Sequence, residues 1–266
     1  MSNETPNKFS LFDLPEIPDS VDNALQNLTD VPSRNVGQTF GDLWYLVFGN
    51  ISHAADKKKM KYAHDLEIYK QELNTAIEQI PENKKVEPSI QVTAQALENS
   101  KYCISSETLR TMFVKLITGT MDMDTEPLTH PSFPEMIKQM DETDALILME
   151  LKRNGDSAIA CYKEYDIDKN TYHVLFANAY FSSFFNIPFG KSNSSLSLLE
   201  RMGLVKLSYD SHFAVDIRYD PFRNNDLYHS FTNEIKRKNA NSRLEITKGV
   251  CEITPLGRRF INACVS

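Results

Sequence analysis

The spacing of apolar residues predicts a series of helices in the first half of the chain. Between residues 57 and 80 the apolar positions recur in alternating steps of four and three: Tyr62, Leu66, Tyr69, Leu73, Ala76 and Ile80. This heptad spacing is typical of a helix that buries one continuous stripe. Apolar faces between start and stop signals predict four more helices, at 88–102, 106–118, 132–140 and 142–154.

Alternating patterns, which are typical of β-strands, are confined to the second half. Residues 158–165 and 171–177 are rich in β-leaning side chains, and the turn-forming sequence Asp-Lys-Asn stands between them. Residues 212–219 alternate in the same way and predict another strand. A helix is predicted from Asn225 to about Lys238, because Asn225 is a good cap and basic residues close the segment.

Two stretches near the C-terminus suggest a winged-helix core. In the first, a polar run at 192–195 is expected to cap a helix that ends at Gly203 and leads into a strand at 204–207. In the second, a strand ends at Thr254, which is expected to cap a helix whose first residue is Pro255. Helix, strand, long connection, strand and helix follow one another as in a winged helix.

These patterns predict a mainly α protein of the α+β class with two folded parts. The first is a helical region at 35–140, and the second is a winged-helix-like domain with a small antiparallel sheet at 141–266. Residues 208–248 would be a long wing insertion in that domain. Residues 1–34 hold four prolines and six acidic residues against two basic ones. They are therefore expected to form a disordered acidic tail.

Charge and cysteine content narrow the classes of function. The net charge is −7, but residues 191–266 hold 12 Lys and Arg against 8 Asp and Glu. Nucleic-acid binding is therefore compatible with this part of the chain and disfavoured elsewhere. The four cysteines lack metal-ligand spacing, and neither a signal peptide nor a membrane-spanning run occurs. We therefore expect reduced, buried thiols in a cytoplasmic protein.

The aromatic segment 40–51 has two interpretations. It contains Trp44 and Phe48 and is followed by a cluster of lysines, as in a segment that lies on a membrane surface. Alternatively it is a buried helix that docks the N-terminal region. Trp44 and Phe48 are candidate interaction residues in both cases. Phe181, Phe184 and Phe185, from a stretch dense in phenylalanine, are further candidates for docking a protein partner.

Four stretches in order resemble the Abi-alpha family, the abortive infection alpha domain of bacterial phage defence. The first two are YKQELN, which starts at Tyr69, and LRTMFVKLI, which starts at Leu109. The last two are more specific: HPSFPEMIKQMD, which starts at His130, and ITPLGRRFINAC, which starts at Ile253. The resemblance implies a bacterial, cytoplasmic accessory protein of antiviral defence. It brings no established reaction, so no catalytic residue is carried over.

The sequence offers no catalytic, cofactor-binding or metal-binding residues. His130 lies in a segment that leads from a loop into a helix, and no nucleophile that could act with it is near in the sequence. The motifs GxGxxG, GxxxxGK[ST], GxSxG and HExxH do not occur. We therefore expect a non-enzymatic protein without a cofactor, which binds a phage or host component. Self-association through the 57–80 helix is a further expectation.

Two alternative functions remain open. A winged-helix DNA-binding regulator would use Arg201 in its recognition helix and Lys236, Arg237 and Lys238 on its wing. A membrane-surface effector would use the apolar segment 40–51. The single arginine of the proposed recognition helix and the aspartates of the wing favour protein binding over DNA binding.

Overall fold

A computed structural model describes residues 36–48, 57–238 and 241–266. The acidic tail expected at 1–34 lies outside the described residues. The chain divides into two compact units. The first comprises residues up to Gln139 together with Asn262–Cys264 and Ser266, and the second comprises Met140–Ile261 with Val265.

The first unit is built from helices joined by short turns. In chain order they are α1 (Val36–Phe48), α2 (Lys57–Glu78), α3 (Ile90–Ser100), α4 (Glu107–Gly119) and α5 (Phe133–Lys138), with 3-10 turns at Glu82–Lys84 and Glu126–Leu128. The sequence allows Ser105 or Ser106 to begin α4, and the structure uses Ser106 as the cap, because its hydroxyl accepts a hydrogen bond from the Leu109 N–H. Ser132 precedes α5 but does not cap it, since its hydroxyl hydrogen bonds with Nδ1 of His130 at 2.8 Å.

The heptad stripe of α2 forms much of the core of this unit. Tyr69 and Leu73 have no exposed surface, and Ile80 just after the helix is also buried. The stripe is therefore covered within the chain by α1 and α4. Self-association through this helix stays a prediction.

The second unit combines helices with one sheet. Its elements are α6 (Glu142–Asn154), β1 (Ser157–Asp166), β2 (Thr171–Ala179), α7 (Phe189–Arg201), β3 (Val205–Ser208), a 3-10 helix (Asp216–Phe222), α8 (Asp226–Lys238), β4 (Ser242–Ile253) and α9 (Pro255–Cys264), whose last three residues belong to the first unit. Asp141 and Asp144 form a capping box at the start of α6. Its predicted end at Gly155 is confirmed, with φ +73° at that glycine.

The four strands form an antiparallel sheet in the order β2-β1-β4-β3. Tyr162 of β1 lies opposite Phe176 of β2 and Ile246 of β4. Its buried ring belongs to a core cluster with Tyr219 and Phe222, against which α8 packs. The prediction of a mainly helical fold with a small antiparallel sheet is confirmed.

The strand predicted at 212–219 is wrong. The chain there leads into the 3-10 helix Asp216–Phe222. Tyr219 and Phe222 are the two buried residues of this helix, and their separation of three positions suits a helical turn better than a strand.

The predicted start of α7 is also wrong, although its end is confirmed. The polar run 192–195 lies inside the helix, which begins at Phe189 after Pro188. Buried Ser192 donates its hydroxyl hydrogen to the Phe189 carbonyl at 2.9 Å, so the run satisfies itself within the helix. Gly203 adopts φ +74° just after the helix, as expected of a C-terminal glycine.

The closing Thr-Pro-Leu-Gly sequence holds the end of the sheet. The Thr254 hydroxyl accepts from the Gly257 N–H and donates to the Gly203 carbonyl, at 2.9 and 2.6 Å. The predicted cap and Pro255 at the first helical position are confirmed. A Cβ atom on Gly257 would lie 1.9 Å from the Leu204 carbonyl oxygen, so this position accepts only glycine.

Candidate interaction surfaces

The aromatic residues of α1 face α2. The Trp44 ring lies 4.5 Å from that of Phe48 and 5.7 Å from that of Tyr69, measured between centroids. Phe48 is buried and Trp44 is half-buried, whereas the neighbouring Tyr45 is 73% exposed. The cluster therefore buries much of the tryptophan surface inside the first unit, whereas Asp42, Tyr45 and Leu46 of α1 are exposed.

The phenylalanines of the 181–189 stretch differ in their surroundings. The Phe181 ring packs edge-on against Phe189 at 4.6 Å and Phe222 at 4.9 Å, so it extends the core of the second unit. Phe185 is half-buried, and Phe184 is 48% exposed. Of the three candidates, Phe184 is therefore the one that a partner can reach.

The Phe184 ring forms a cation–π pair with α6. The guanidinium carbon of Arg153 lies 4.1 Å from the centre of the Phe184 ring. The loop that carries Phe184 is held by hydrogen bonds from its backbone to side chains. The Ser182 hydroxyl accepts from the Phe184 N–H at 3.2 Å, and buried Glu150 accepts from the Ser183 N–H at 2.8 Å. The pair is thus an exposed aromatic and cationic feature on a fixed loop, which we call the Phe184–Arg153 patch.

The structure separates the candidate nucleic-acid contacts into two places. Lys236 and Arg237 are exposed at the end of α8, and Lys238 forms an ion pair with Glu234 one turn earlier. In the part of the chain that the structure describes, neither Lys236 nor Arg237 pairs with a carboxylate. Arg201 is exposed at the end of α7, on a different helix.

Because α7 begins earlier than predicted, its exposed face is longer than the sequence suggested. Lys191, Ser194, Ser197 and Arg201 are exposed at steps of three and four, so they follow one side of the helix. The nearby carboxylate of Glu200 accepts a hydrogen bond from the Leu207 N–H at 2.8 Å. This face, named the α7 polar face, carries two basic side chains with short hydroxyl side chains between them.

The first half of β2 is an exposed feature that the sequence reasoning missed. Residues 171–174 are all exposed; Tyr172 is 62% and Val174 43% accessible. The Lys163 ammonium of β1 lies 4.3 Å from the centre of the Tyr172 ring. Composition gives no signal for this exposure, because a strand without charged residues such as Thr171–Ala179 is normally expected to be buried.

A cavity of about 250 Å³ lies in the first unit, near the C-terminal ends of α2 and α4. Gln79, Lys115, Asp122 and Asn262 supply polar groups to its wall. Lys115 is engaged by other groups of the protein. The cavity is therefore a mixed polar and apolar recess, and its one lysine already contacts other groups of the protein.

The buried cysteine thiols are held in their neutral form. Burial raises the pKa of the Cys251 thiol to about 12 and that of Cys264 well above its ordinary value. All four cysteines are free and buried, as the sequence predicted. Across residues 36–48, 57–238 and 241–266, no group of three or more His, Cys, Asp or Glu side chains is placed to hold a metal ion. None of the helices described is long and apolar enough to cross a membrane.

Comparison with known proteins gives one family and one structural similarity. The family model described as abortive infection alpha matches residues 61–264 of this chain. A search of curated proteins found no match. Among solved structures, the chain is similar to an uncharacterized protein from the hydrocarbon-degrading marine bacterium Alcanivorax borkumensis SK2. The identity is 20%, the alignment covers 52% of this chain and 92% of that one, and the TM-score is 0.31.

Proposed function

The chain belongs to the abortive infection alpha family, and we propose that it acts in abortive infection by binding a phage or host component, with arrest of the infected cell as the outcome. The family match over residues 61–264 carries this proposal. The role we assign to the protein is recognition, without a reaction of its own. The proposal places the protein in the cytoplasm of a bacterium.

The Phe184–Arg153 patch is the surface that we assign to the partner. Aromatic residues and arginine are enriched among the residues that contribute most to protein interfaces. Phe184 offers an exposed ring, and Arg153 covers one side of it at 4.1 Å. Because Ser182 and Glu150 hold the loop, little conformational freedom would be lost on binding.

The direct test is phage challenge of bacteria that express the protein. We expect fewer plaques and an earlier stop of growth after infection than in cells with an empty vector. Phe184→Ala should remove most of this protection, because loss of a central aromatic contact weakens an interface by about tenfold or more. Ile217→Ala is the matched control, since Ile217 is 70% exposed in the same unit and lies outside the patch.

Two results would contradict the proposal at different levels. Wild-type protein that leaves plaque number and growth after infection unchanged would exclude the role in abortive infection. Protection that persists in Phe184→Ala would keep the role and exclude the Phe184–Arg153 patch as the contact. Amounts of soluble protein for both variants must match wild type in the same cells.

A winged-helix DNA-binding regulator is the second candidate function, and the α7 polar face favours it. In this arrangement α7 would be the recognition helix, β3 and β4 the antiparallel strands, and the connection between them the wing. Lys191 and Arg201 would contact phosphates, and Ser194 and Ser197 are short enough to approach the bases. The basic end of α8 would add phosphate contacts.

Binding to duplex DNA, measured by fluorescence anisotropy over a series of salt concentrations, tests this candidate. Arg201→Glu, and the joint replacement of Lys236, Arg237 and Lys238 with Glu, should both lower affinity and flatten the dependence on salt. Lys70→Glu on α2 is the control for the change in net charge. Equal affinity for all variants would exclude this mode of DNA binding.

A further inference from the structure

The Phe184–Arg153 patch contains a cation whose hydrogen-bond donors are unused. The exposed Arg153 guanidinium lies over the Phe184 ring at 4.1 Å. In the part of the chain that the structure describes, this guanidinium forms no ion pair and donates no hydrogen bond. Arginine carries five N–H donors in a planar fork that matches a carboxylate. Contact with the ring restricts the side chain, which lowers the entropy lost when a carboxylate binds.

The sequence around the patch lacks acidic residues. Neither Asp nor Glu occurs in residues 169–199, a stretch that contains the loop of the patch and most of α7. The first turn of α7 holds exposed Lys191, and the positive end of the helix dipole adds to its charge. The Phe181 and Phe189 rings, 4.6 Å apart, hold the start of α7 against the same loop. The positive charge of this surface therefore extends from the patch to α7.

The two acidic residues nearest to Arg153 in the chain serve other contacts. Buried Glu150 accepts a hydrogen bond from the Ser183 N–H at 2.8 Å. The Asp156 carboxylate accepts from the Ile253 N–H, also at 2.8 Å. Arg153 therefore keeps its charge available for a partner.

A second cation–π pair in the same unit shows what distinguishes the patch. The guanidinium carbon of Arg218 lies 4.1 Å from the centre of the Phe213 ring, the same distance as in the pair of Arg153 and Phe184. The Phe213 ring is half-buried, however, and three aspartates between residues 210 and 220 offset the positive charge around it. The two pairs have the same geometry and different electrostatic surroundings, so only the patch favours a negatively charged partner.

We propose that the Phe184–Arg153 patch binds an acidic peptide segment of a protein partner, in which an apolar side chain lies next to a carboxylate. The carboxylate accepts hydrogen bonds from the Arg153 guanidinium, and the apolar side chain packs against the exposed part of the Phe184 ring. Lys191 attracts a second acidic residue of the segment. This inference rests on the proposed function, because it describes the partner that the patch recognises there.

Phosphate groups also accept hydrogen bonds from arginine, but the patch suits a peptide better than a nucleic acid. Affinity for nucleic acid requires several cations that follow a phosphate backbone. This surface supplies Arg153, with Lys191 on the adjoining helix. A peptide with one or two carboxylates matches that number of charges.

The first test selects binders from a phage-displayed library of random short peptides, with the purified full-length protein as the target. Phages that bind Phe184→Ala are removed first, so the remaining peptides require the ring. Peptides selected on wild type should be enriched in Asp and Glu next to aromatic or aliphatic residues. Selection on Arg153→Glu should enrich Lys and Arg instead, because the charge of the patch is reversed. Arg218→Glu is the matched control: the same change at a cation–π pair of the same geometry should leave the acidic preference intact.

The second test measures the affinity of one selected peptide, labelled with fluorescein, by fluorescence anisotropy. Arg153→Glu and Phe184→Ala should each raise the dissociation constant by about tenfold or more, and Arg218→Glu should leave it unchanged. The same peptide with lysine in place of its acidic residues should bind Arg153→Glu more tightly than it binds wild type. Binding of the reversed peptide also shows that Arg153→Glu is folded.

The inference is overturned if the selected peptides show no preference for acidic residues, or if wild type and Arg153→Glu select the same sequences. It is also overturned, in favour of nucleic acid, if Arg153→Glu abolishes binding of a labelled oligothymidylate and no acidic peptide binds. A protein that protects cells from phage but selects no acidic peptide keeps the proposed function and loses this partner. A protein that selects acidic peptides without protecting cells loses the proposed function and keeps the assignment of the patch.

Discussion

At the scale of single residues, Gly257 determines how closely α9 approaches β3. Its Cα faces the Leu204 carbonyl, and the space available is smaller than any side chain requires. The neighbouring Thr254 uses its hydroxyl both to cap α9 and to reach the Gly203 carbonyl. Two residues of the Thr-Pro-Leu-Gly sequence thus join the beginning of α9 to the turn before β3.

We expect Gly257→Ala to lower the free energy of unfolding by about 3 kcal/mol or more, because the added methyl group meets backbone rather than a flexible side chain. Urea denaturation monitored by circular dichroism measures the effect. Gly190→Ala is the control, since a Cβ at Gly190 would have no atom within 4 Å. A loss no larger than that of the control would contradict the close approach.

Asp144 gives the stability of the second unit a dependence on pH. Burial raises the pKa of its carboxyl above the ordinary 3.8, although the Asp141 N–H donates to it at 2.7 Å. A raised pKa in the folded state favours folding below about pH 3.8. That contribution is lost as the pH rises through the folded-state value.

Asp144→Asn should therefore gain stability relative to wild type as the pH rises above 3.8, because the amide keeps an acceptor for the capping hydrogen bond and carries no charge to bury. Urea midpoints of both proteins at several pH values supply the measurement. A difference between them that does not change with pH would contradict the assignment.

At the scale of secondary structure elements, an ion pair between a buried arginine and a half-buried glutamate joins α2 to α4. Nε and Nη2 of Arg110 donate to the two carboxylate oxygens of Glu72, both at 2.8 Å, and Nη1 donates to the Ile104 carbonyl at 2.9 Å. The Arg110 side chain is only 9% exposed. Hydrogen bonding to Glu72 raises the pKa of the guanidinium, which stays charged.

Glu72→Ala should cost about 3 kcal/mol of unfolding free energy, since it leaves a buried guanidinium without its counter-charge. The exposed pair between Lys84 and Asp124 is the comparison, and Asp124→Ala should cost much less than Glu72→Ala, because solvent screens that pair. Chemical denaturation of both variants measures the two losses. Equal losses would show that burial adds nothing to the Arg110–Glu72 pair.

The sequence predicts elements well where the signal is local and poorly where it depends on distant pairing. The cap at Thr254 was predictable, and the caps of α4 and α6 could be narrowed to Ser105 or Ser106 and to Asp141 or Thr143, because a cap acts within one turn of its helix. The 212–219 segment alternates like a strand, but the burial of Tyr219 and Phe222 decides its conformation. That β2 lies at the edge depends on which strands pair, and no local pattern states this.

For the candidate interaction residues too, the sequence predicted local features and missed those that depend on tertiary packing. Aromatic content alone grouped Phe181 with Phe184, whereas packing buries much of the first and exposes the second. The α7 polar face was underestimated because the helix begins at Phe189, before the polar run that was expected to cap it. The exposure of each phenylalanine and the start of α7 both depend on tertiary contacts, which the spacing of residues does not encode.

At the scale of the whole molecule, the thiols provide a test of how tightly the structure is closed. Burial raises the pKa of all four cysteine thiols, so at pH 8 each is protonated and shielded from solvent. We expect 5,5′-dithiobis(2-nitrobenzoic acid) to modify the native protein at least about a hundredfold more slowly than the unfolded chain. The absorbance of the released thiolate reports the rate. Rapid modification of even one native cysteine would show an opening of the fold near that residue.

The order of synthesis gives one feature of the fold a further meaning. Asn262–Cys264 belong to the first unit although they come almost last in the chain, and Cys264 has no exposed surface there. The ribosome therefore makes the second unit before it delivers the last residues that the first unit contains. Co-translational folding can complete the first unit only after residue 264 has left the exit tunnel, so a premature stop near residue 260 affects the part of the protein that was made first.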